Sequence, residues 1–576
     1  MNNSQNLLKT LWMGMLQTHD NLRSLEIPVR ALLIALTVAG TCAMHDYLLA
    51  ADSPPTISQA AGTQAALVDS CSGSADVVCT ETGAVRSTVN EKVRAFKGIP
   101  YAKAPIGDLR FRPPQRADPW QQPLLAEQFG PVCPQLASGN KVVGSEDCLR
   151  LNIWTPAQRP ATPLPVMIWL HGGGNAGLSG AGTAGFGGVV YDGSLMVERG
   201  GIVFVTYNLR LGALGFLAHP ALDAERPEKI SGNYGSLDQV AMLQWVQRNI
   251  RSFGGDPNRV FLFGTSAGGG NICALMTSPL AQGLFHGVAM QSSVPTACEL
   301  QTLADVQQGT GVRVANATGC ASAADIAACL RGKTVNEIVS AVSGLTNIYA
   351  RVYGPNVDGH VFPDQPRKLI QAQRYKPMPV IIGGTADETK TFLNAIGPIP
   401  DPASYAEAVA KLFGAQSRDA ILARYPAASF PNPRGALEVA TTDAYFTCTT
   451  RRVARLLTSV QSEPVHTYYF SHVLENDPVE RARGSGHTVE HPFLFHWSGK
   501  YRPSEGERQL QDAMLLYWSR MAATGNPNGG SNPVWPRYDA TTDAHLELAI
   551  PPRARTALRK DQCDFWDGIT LPWPHL

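Results

Sequence analysis

Residues 259–276 read RVFLFGTSAGGGNICALM, and they indicate how the chain folds more clearly than any other stretch. The apolar run Arg259–Phe263 predicts a buried strand, and the run from Ala267 to Met276 predicts a helix. Between them lies Gly264-Thr265-Ser266-Ala267-Gly268, a G-x-S-x-G motif. Glycines around the serine permit a turn too tight for Cβ atoms, and such a turn lifts the hydroxyl clear of the sheet edge. We therefore predict that Ser266 is a nucleophile.

Strand and helix patterns alternate on both sides of this turn. This alternation is typical of an α/β protein with a large, mostly parallel sheet that helices cover on both faces. Such sheets place their chemistry in the loops that follow the strands. The other predicted strands are Pro165–Leu170, Ile202–Tyr207, His286–Met290 and Val380–Ile382, and a further helix is predicted at Leu237–Ile250.

The composition indicates a protein with a substantial core and no strongly charged partner. Of 576 residues, 44% are hydrophobic, while 48 Lys and Arg nearly balance 47 Asp and Glu. A net charge of +1 does not favour nucleic acid or an anionic membrane surface, so we expect neither as a partner.

The N-terminus differs from the rest of the chain. The segment 31–44 is apolar, too short for a usual membrane span and suited to the core of a secretory signal, with cleavage after Ala43 or Ala51. Because the preceding 30 residues are long for a signal, a leader with an uncleaved anchor is the alternative. We expect a leader at 1–60, a single catalytic domain at 66–576, and export to the periplasm or medium, without stable membrane insertion after the signal is removed.

Eleven cysteines predict several disulfides in an exported enzyme, although spacing alone does not fix their connectivity. We expect Cys273, in a predicted core helix, to be a buried, reduced thiol. The close candidates for pairing are Cys71 with Cys79, Cys133 with Cys148, and Cys320 with Cys329.

A serine nucleophile needs donors for the oxyanion that it creates. The sequence His171-Gly172-Gly173-Gly174 follows a predicted strand and can offer bare backbone N–H groups. The N–H of Ala267, at a helix N-terminus, can act in the same way. A phosphate-binding loop is not expected here, because no Lys-Ser/Thr pair follows the glycines.

The serine also needs a base and an acid, which follow it in chain order in this kind of fold. Asp387 and Glu388 come after a predicted strand, while His487 and His491 are candidate bases. The residues alone leave both pairs open.

The stretch His487-Thr488-Val489-Glu490-His491 also matches the H-x-x-E-H pattern of a class of zinc peptidases. That site would need both histidines on one helix. Pro492 follows His491 directly, and a residue before proline is steered away from helical backbone. We therefore expect no metal site, and we expect Glu490 to stabilise a loop and His491 to pack or form a hydrogen bond.

Blocks of sequence from about residue 77 to the C-terminus resemble the type-B carboxylesterase/cholinesterase family. They are FKGIPYAKAP at 96–105, SEDCLRLNIW at 145–154, the HGGG loop, GNYGSLDQ at 232–239, the serine turn, and WSRMAATGNPN at 518–528. The resemblance implies an α/β-hydrolase fold with helical and loop insertions over the active site. It implies no metal or organic cofactor.

Carried over by position, the resemblance also implies the roles of individual residues. Thr389 stands where the family pattern Asp-Glu-Gly has glycine, and Thr488 and His491 replace its usual glycine and leucine. Ser292 resembles a serine that lies beside the acid and base, with an ordinary strand-end hydroxyl as the alternative. The implied residues are Ser266 as nucleophile, Glu388 as acid, His487 as base, Gly173, Gly174 and Ala267 as oxyanion donors, and the disulfides Cys133–Cys148, Cys320–Cys329 and Cys448–Cys563.

These features predict a carboxylic ester hydrolase that acts on small neutral esters through a Ser-His-Glu triad and an acyl-enzyme. Cholinesterases have a glutamate where this chain has Thr265, and an aromatic residue in the loop that here reads CPQLASGNKVVGSEDC. We therefore expect poor hydrolysis of choline esters. The alternatives are a non-catalytic binding or adhesion protein on the same fold and an amidase. We expect a monomer or a homodimer.

Overall fold

A computed structural model describes residues 76–182, 190–293, 298–344, 352–497, 499 and 501–570. The predicted leader and its apolar segment 31–44 lie outside these residues. The described residues all belong to one compact unit, Leu67–Leu576. No helix in the described part of the chain is both long enough and apolar enough to cross a bilayer.

The strands predicted from the sequence all form. The strands in chain order are β1 (Val77–Thr80), β2 (Gly83–Val89), β3 (Val93–Pro100), β4 (Leu124–Ala126), β5 (Gln135–Leu136), β6 (Val142–Val143), β7 (Arg150–Pro156), β8 (Leu164–Leu170), β9 (Val203–Tyr207), β10 (Gly255–Thr265), β11 (Gly287–Gln291), β12 (Gln301–Thr302), β13 (Asn356–Val357), β14 (Val380–Thr385), β15 (Val465–Phe470), β16 (His545–Leu548) and β17 (Arg553–Arg555).

Thirteen of the described strands form one sheet in the order β1-β2-β3-β7-β9-β8-β10-β11-β14-β15-β16-β17, with β4 beside β2. Within the run from β9 to β16 in this order, each strand is parallel to the next. Antiparallel pairs extend the sheet at both edges. The prediction of a mostly parallel α/β sheet is confirmed.

Helices cover both faces of this sheet. In chain order they are α1 (Ser194–Gly200), α2 (Gly212–Phe216), α3 (Pro220–Asp223), α4 (Tyr234–Asn249), α5 (Ala267–Thr277), α6 (Leu303–Val306), α7 (Val312–Ala317), α8 (Ile326–Gly332), α9 (Val335–Ala341), α10 (Pro366–Gln371), α11 (Pro402–Phe413), α12 (Arg418–Arg424), α13 (Pro433–Thr442), α14 (Cys448–Val460), α15 (Pro478–Arg483), α16 (Glu505–Thr524) and α17 (Lys560–Asp567).

Neighbouring residues of a central strand enter different cores, because side chains alternate between the two faces of a sheet. In β8, Val166, Ile168 and Leu170 join the core that α4 and α5 also build. Met167 and Trp169 join the core built with α1 and α16. Burial on both faces explains why this strand is apolar throughout rather than alternating.

A third core lies within a helical insertion between β14 and β15. It joins residues of α11 to α14 with Cys563 and Trp566 of the C-terminal helix α17. Between α13 and α14 the chain makes a π-helical turn, Asp443–Thr447. Through this turn the insertion reaches the edge of the sheet where the predicted site lies, because Phe446 of the turn packs against His487.

The disulfides confirm three expectations and overturn one. Cys273 and Cys298 form a fourth disulfide, so the expectation of a reduced thiol at Cys273 was wrong. The chain returns to α5 after β11, with Cys298 at φ +63°, and helical periodicity around Cys273 gives no sign of that return. Cys79 is disulfide-bonded as well, whereas Cys71 lies outside the described residues. The three expected disulfides are Cys133–Cys148, Cys320–Cys329 and Cys448–Cys563.

Candidate active site

The serine turn between β10 and α5 has the strained backbone that the motif predicts. Ser266 has φ +57° and ψ −123°, a conformation that residues with side chains seldom adopt. A Cβ on Gly264 would lie 2.5 Å from the carbonyl oxygen of Leu170, and one on Gly268 would lie closer still. The two glycines therefore let the turn press against β8, and the strain is held at Ser266.

The predicted oxyanion loop, residues 171–177, lies directly against this serine. A Cβ on Gly172 would lie 3.1 Å from the Cβ of Ser266. The loop folds back at Gly173, whose φ is +89° and whose carbonyl oxygen accepts hydrogen bonds from the N–H groups of Ala176 (3.0 Å) and Gly177 (3.1 Å). The N–H of Ala267 is the first of α5 and has no partner within the helix. The glycine loop and the N-terminus of α5 thus both adjoin Ser266.

A buried amide pair, which the sequence did not reveal, ties the 171–177 loop to helix α5. Asn271 of α5 donates from Nδ2 to Oδ1 of Asn175 at 2.8 Å, and the reverse contact is 3.4 Å. The backbone oxygen of Asn175 also accepts from Gly212 N at 2.7 Å. Residues 96 positions apart share no local pattern, so only the fold could bring out this pair.

The structure distinguishes between the candidate acids and bases. His487 Nδ1 lies 2.5 Å from Oε2 of Glu388, whose side chain is fully buried. Oε1 of Glu388 accepts from the backbone N–H of Thr385 at 2.7 Å, so both carboxylate oxygens are held. Asp387 instead holds the backbone of the histidine loop, because its Oδ2 accepts from Ser485 N at 2.9 Å. The two neighbouring carboxylates therefore contact different groups: Glu388 the imidazole of His487, and Asp387 the backbone of Ser485.

Two phenylalanines flank the imidazole of His487. The ring centroids of Phe392 and Phe446 lie 5.0 and 5.6 Å from it. Phe392 follows β14, and Phe446 belongs to the π-helical turn of the insertion. The described residues include no hydrogen bond between Ser266 Oγ and His487, a contact that is often long in hydrolases without bound substrate.

The strand ends bring the serine and the acid to the same edge of the sheet. Ser266 N donates to Gln291 O on β11 at 3.0 Å, and Ser292 N donates to Gly383 O on β14 at 2.7 Å. Gly384, next along β14, lies beside both Ser292 and the Glu388 carboxylate. Ser292 therefore lies between the Ser266 turn and Glu388 at this sheet edge.

The H-x-x-E-H stretch is not an α-helix. A turn covers residues 487–490, and a short 3-10 helix, His491–Phe493, follows. The ring of His491 packs edge-on against Trp169 at 5.3 Å, and burial lowers its pKa to about 3. The described residues contain no group of three or more His, Cys, Asp and Glu side chains placed to hold a metal ion.

Glu490 is fully buried behind the acid. Ser292 Oγ donates a long hydrogen bond of 3.5 Å to its Oε1, and Oε2 has no hydrogen-bond partner among the described residues. Burial, assisted by the nearby charge of Glu388, raises the pKa of Glu490 to about 7. At mildly acidic pH, Glu490 therefore keeps its proton in the folded protein but has lost it in the unfolded chain.

We expect Glu490→Gln to flatten the pH dependence of stability. The unfolded carboxyl loses its proton near pH 4.5 but the folded one only near pH 7, so the wild type loses stability as pH rises through this window. Glutamine does not ionise. The variant should therefore gain roughly 3 kcal/mol relative to wild type between pH 5 and pH 8, at about 1.4 kcal/mol per pKa unit. Denaturant unfolding at both pH values, with the surface variant Glu91→Gln as control, measures this, and equal pH slopes would contradict it.

Comparison with known proteins identifies the family. A family model described as the carboxylesterase family matches residues 74–566. The chain belongs to the carboxylesterase family. A fumonisin B1 esterase of Sphingopyxis macrogoltabida is 35% identical over 478 residues, which cover 80% of this chain and 84% of that protein. A cocaine esterase of Homo sapiens is 32% identical over 532 residues, 84% of this chain and 90% of that protein.

The solved structure of a PNB esterase agrees with this carboxylesterase assignment. It matches with a TM-score of 0.74 at 29% identity and covers 86% of this chain and 100% of its own. The resemblance stated from the sequence blocks and the α/β-hydrolase fold are both confirmed. The protein is a carboxylic ester hydrolase whose substrates are small-molecule esters.

Proposed function

We propose that this carboxylesterase hydrolyses neutral carboxylic esters through Ser266, His487 and Glu388, with an acyl-enzyme intermediate. The observation that carries the proposal is the 2.5 Å contact between His487 and the buried Glu388. It lies at the sheet edge where the strained serine turn also ends. A nucleophile, a base and an orienting acid are the parts that this chemistry requires.

In the proposed reaction, Ser266 Oγ attacks the ester carbonyl carbon while His487 Nε2 takes its proton. Glu388 holds the Nδ1–H and stabilises the imidazolium. The N–H groups of Gly173, Gly174 and Ala267 stabilise the oxyanion, and each such donor is worth about 10²–10³ in rate in other hydrolases. His487 then protonates the leaving alcohol. Water repeats the sequence on the acyl-enzyme and releases the acid.

The surroundings of the triad support a neutral substrate. Phe392 and Phe446 present apolar rings around His487. The residue before the nucleophile is Thr265, which carries no charge to attract a quaternary ammonium. The disulfides support export to the periplasm or medium, since disulfides persist in oxidising compartments.

Covalent labelling with a fluorophosphonate tests the proposal. The expected result is one label per chain on the peptide that contains Ser266, with loss of 4-nitrophenyl butyrate hydrolysis in proportion to labelling. Activity should withstand a chelator, and a matched anilide should turn over much more slowly than the ester. Label on another residue, or turnover by fully labelled protein, would overturn the triad assignment. A faster anilide would make the protein an amidase.

A further inference from the structure

A cluster of three threonines lies behind the acid, at the position where this chain departs from the Asp-Glu-Gly pattern. The threonine cluster consists of Thr389, Thr441 and Thr442. Thr389 is fully buried, and its Oγ1 lies 2.6 Å from Thr441 Oγ1, 3.1 Å from Thr442 Oγ1 and 2.9 Å from the carbonyl oxygen of Glu438. A glycine at 389 would make none of these three contacts.

Through Thr389, the cluster is connected to Glu388 and to Phe392, one of the two rings beside His487. Thr389 directly follows Glu388 in the chain. Its carbonyl oxygen accepts from the N–H groups of Phe392 at 3.0 Å and Leu393 at 3.1 Å, which closes the turn that carries Phe392. Any shift of Thr389 therefore moves both the Glu388 carboxylate and the Phe392 ring.

The other side of the cluster leads to the second ring. Thr441 and Thr442 are the last residues of α13, and the π-helical turn Asp443–Thr447 follows at once. That turn carries Phe446, which packs on His487. π-helical turns inside helices are often found at functional sites. The cluster thus joins the two chain segments that enclose the imidazole.

We propose that Thr389 is a positioning residue, which through the threonine cluster fixes Glu388, Phe392 and Phe446 around His487. The inference rests on the proposed triad. Helix α13 does not depend on the cluster for the Thr441 hydroxyl, because Thr441 Oγ1 donates within the helix to Leu437 O at 2.7 Å. Thr442 Oγ1 still accepts from the backbone N–H of Thr389 at 3.3 Å. Removing the Thr389 hydroxyl therefore leaves the Thr441 hydroxyl bonded within α13, whereas the turn that bears Glu388 keeps only the backbone bond from Thr389 N to Thr442.

The test replaces Thr389 by valine, which keeps the branched shape and removes the hydroxyl. We expect kcat for 4-nitrophenyl butyrate to fall about 10- to 100-fold, since small displacements of catalytic groups cost factors of that size. KM should change less than twofold. The acidic limb of the kcat–pH profile should move to lower pH, because a loosened Glu388 stabilises the imidazolium less. Thr389→Ser should restore kcat and the profile.

Thr318→Val is the matched control, because Thr318 is also buried and its Oγ1, among the described residues, bonds only to carbonyls of its own helix, Val314 O at 2.8 Å and Ala315 O. Its kcat should stay within twofold of wild type. Thr441→Val removes the other partner of the 2.6 Å contact and should also lower kcat. This variant replaces Thr389→Val in the test if Thr389→Val does not fold.

Wild-type kcat and pH profile in Thr389→Val or Thr441→Val would overturn the inference, as would a failure of Thr389→Ser to restore them. Failure of the triad itself is distinguishable, because wild-type protein would then carry no fluorophosphonate on Ser266.

Discussion

Replacing Ser266 with alanine should lower kcat/KM for 4-nitrophenyl butyrate by about 10⁶-fold, the size of the loss when a serine hydrolase loses its nucleophile. Without Oγ no acyl-enzyme forms, and only the oxyanion donors remain to assist attack by water. Alanine keeps the Cβ and removes only Oγ, so the strained turn and the thermal midpoint should be preserved. Steady-state kinetics together with thermal unfolding measure both. Activity above one hundredth of wild type would contradict the assignment.

The chain offers a matched control in a second serine beside a histidine. Ser194 Oγ lies 2.7 Å from His496 Nε2 and 2.5 Å from Oδ1 of Asp192. Here the carboxylate lies closer to the serine than to the imidazole, whose Nε2 is 4.0 Å from Asp192 Oδ1. Ser194 is a partly exposed residue at the N-terminus of α1. Ser194→Ala should therefore keep wild-type activity and wild-type fluorophosphonate labelling.

The parts of the site that were predictable are those that local patterning encodes. The serine turn needs a strand, two small residues and a helix within eighteen consecutive positions, and each leaves a mark in the sequence at 259–276. The apolar runs before the HGGG loop and before Glu388 place those loops at strand ends in the same way. Hydrophobic periodicity and turn chemistry were therefore sufficient to predict the strained turn at Ser266 and the position of the predicted oxyanion loop.

The parts that were not predictable depend on contacts between distant segments. The Asn175–Asn271 pair and the Cys273–Cys298 disulfide are made by side chains with no shared local pattern. The choice of Glu388 over Asp387 depends on the histidine loop returning beside β14, and from the residues alone both carboxylates were equal candidates. The resemblance to the family implied Glu388 as the acid. The 2.5 Å contact between Glu388 and His487 supports that choice on physical grounds.

The H-x-x-E-H stretch shows why residue identity alone misleads. The three residues that define the pattern lie in three different surroundings: His487 contacts Glu388, Glu490 is buried near Glu388, and His491 packs on Trp169. A metal needs its ligands to converge, and the turn before Pro492 makes them diverge. The backbone conformation, rather than the residue types, distinguishes the proposed triad base from a zinc motif.

Replacing Glu388 with glutamine should lower kcat by about 10⁴-fold, as expected when a triad acid becomes an amide and the histidine takes the wrong tautomer. Gln Oε1 can still accept from Thr385 N, so Nε2 faces the imidazole and donates to Nδ1. The imidazole proton then occupies Nε2, where it blocks transfer from Ser266. KM should change little, because the carboxylate does not touch substrate. Kinetics at pH 7 and thermal unfolding measure the two effects.

Glu507→Gln is the control that separates this electrostatic role from the general cost of altering a buried Glu–His pair. Glu507 Oε1 lies 3.1 Å from His472 Nε2, and both side chains are buried, as are Glu388 and His487. Glu507 also caps α16 through Ser504, so its replacement should lower the thermal midpoint while kcat stays within a few-fold of wild type. If Glu388→Gln lost no more activity than Glu507→Gln, Glu388 would be a structural carboxylate and the base would need another partner. The expected four orders of magnitude between the two variants would instead locate the stabilisation of the imidazolium at Glu388.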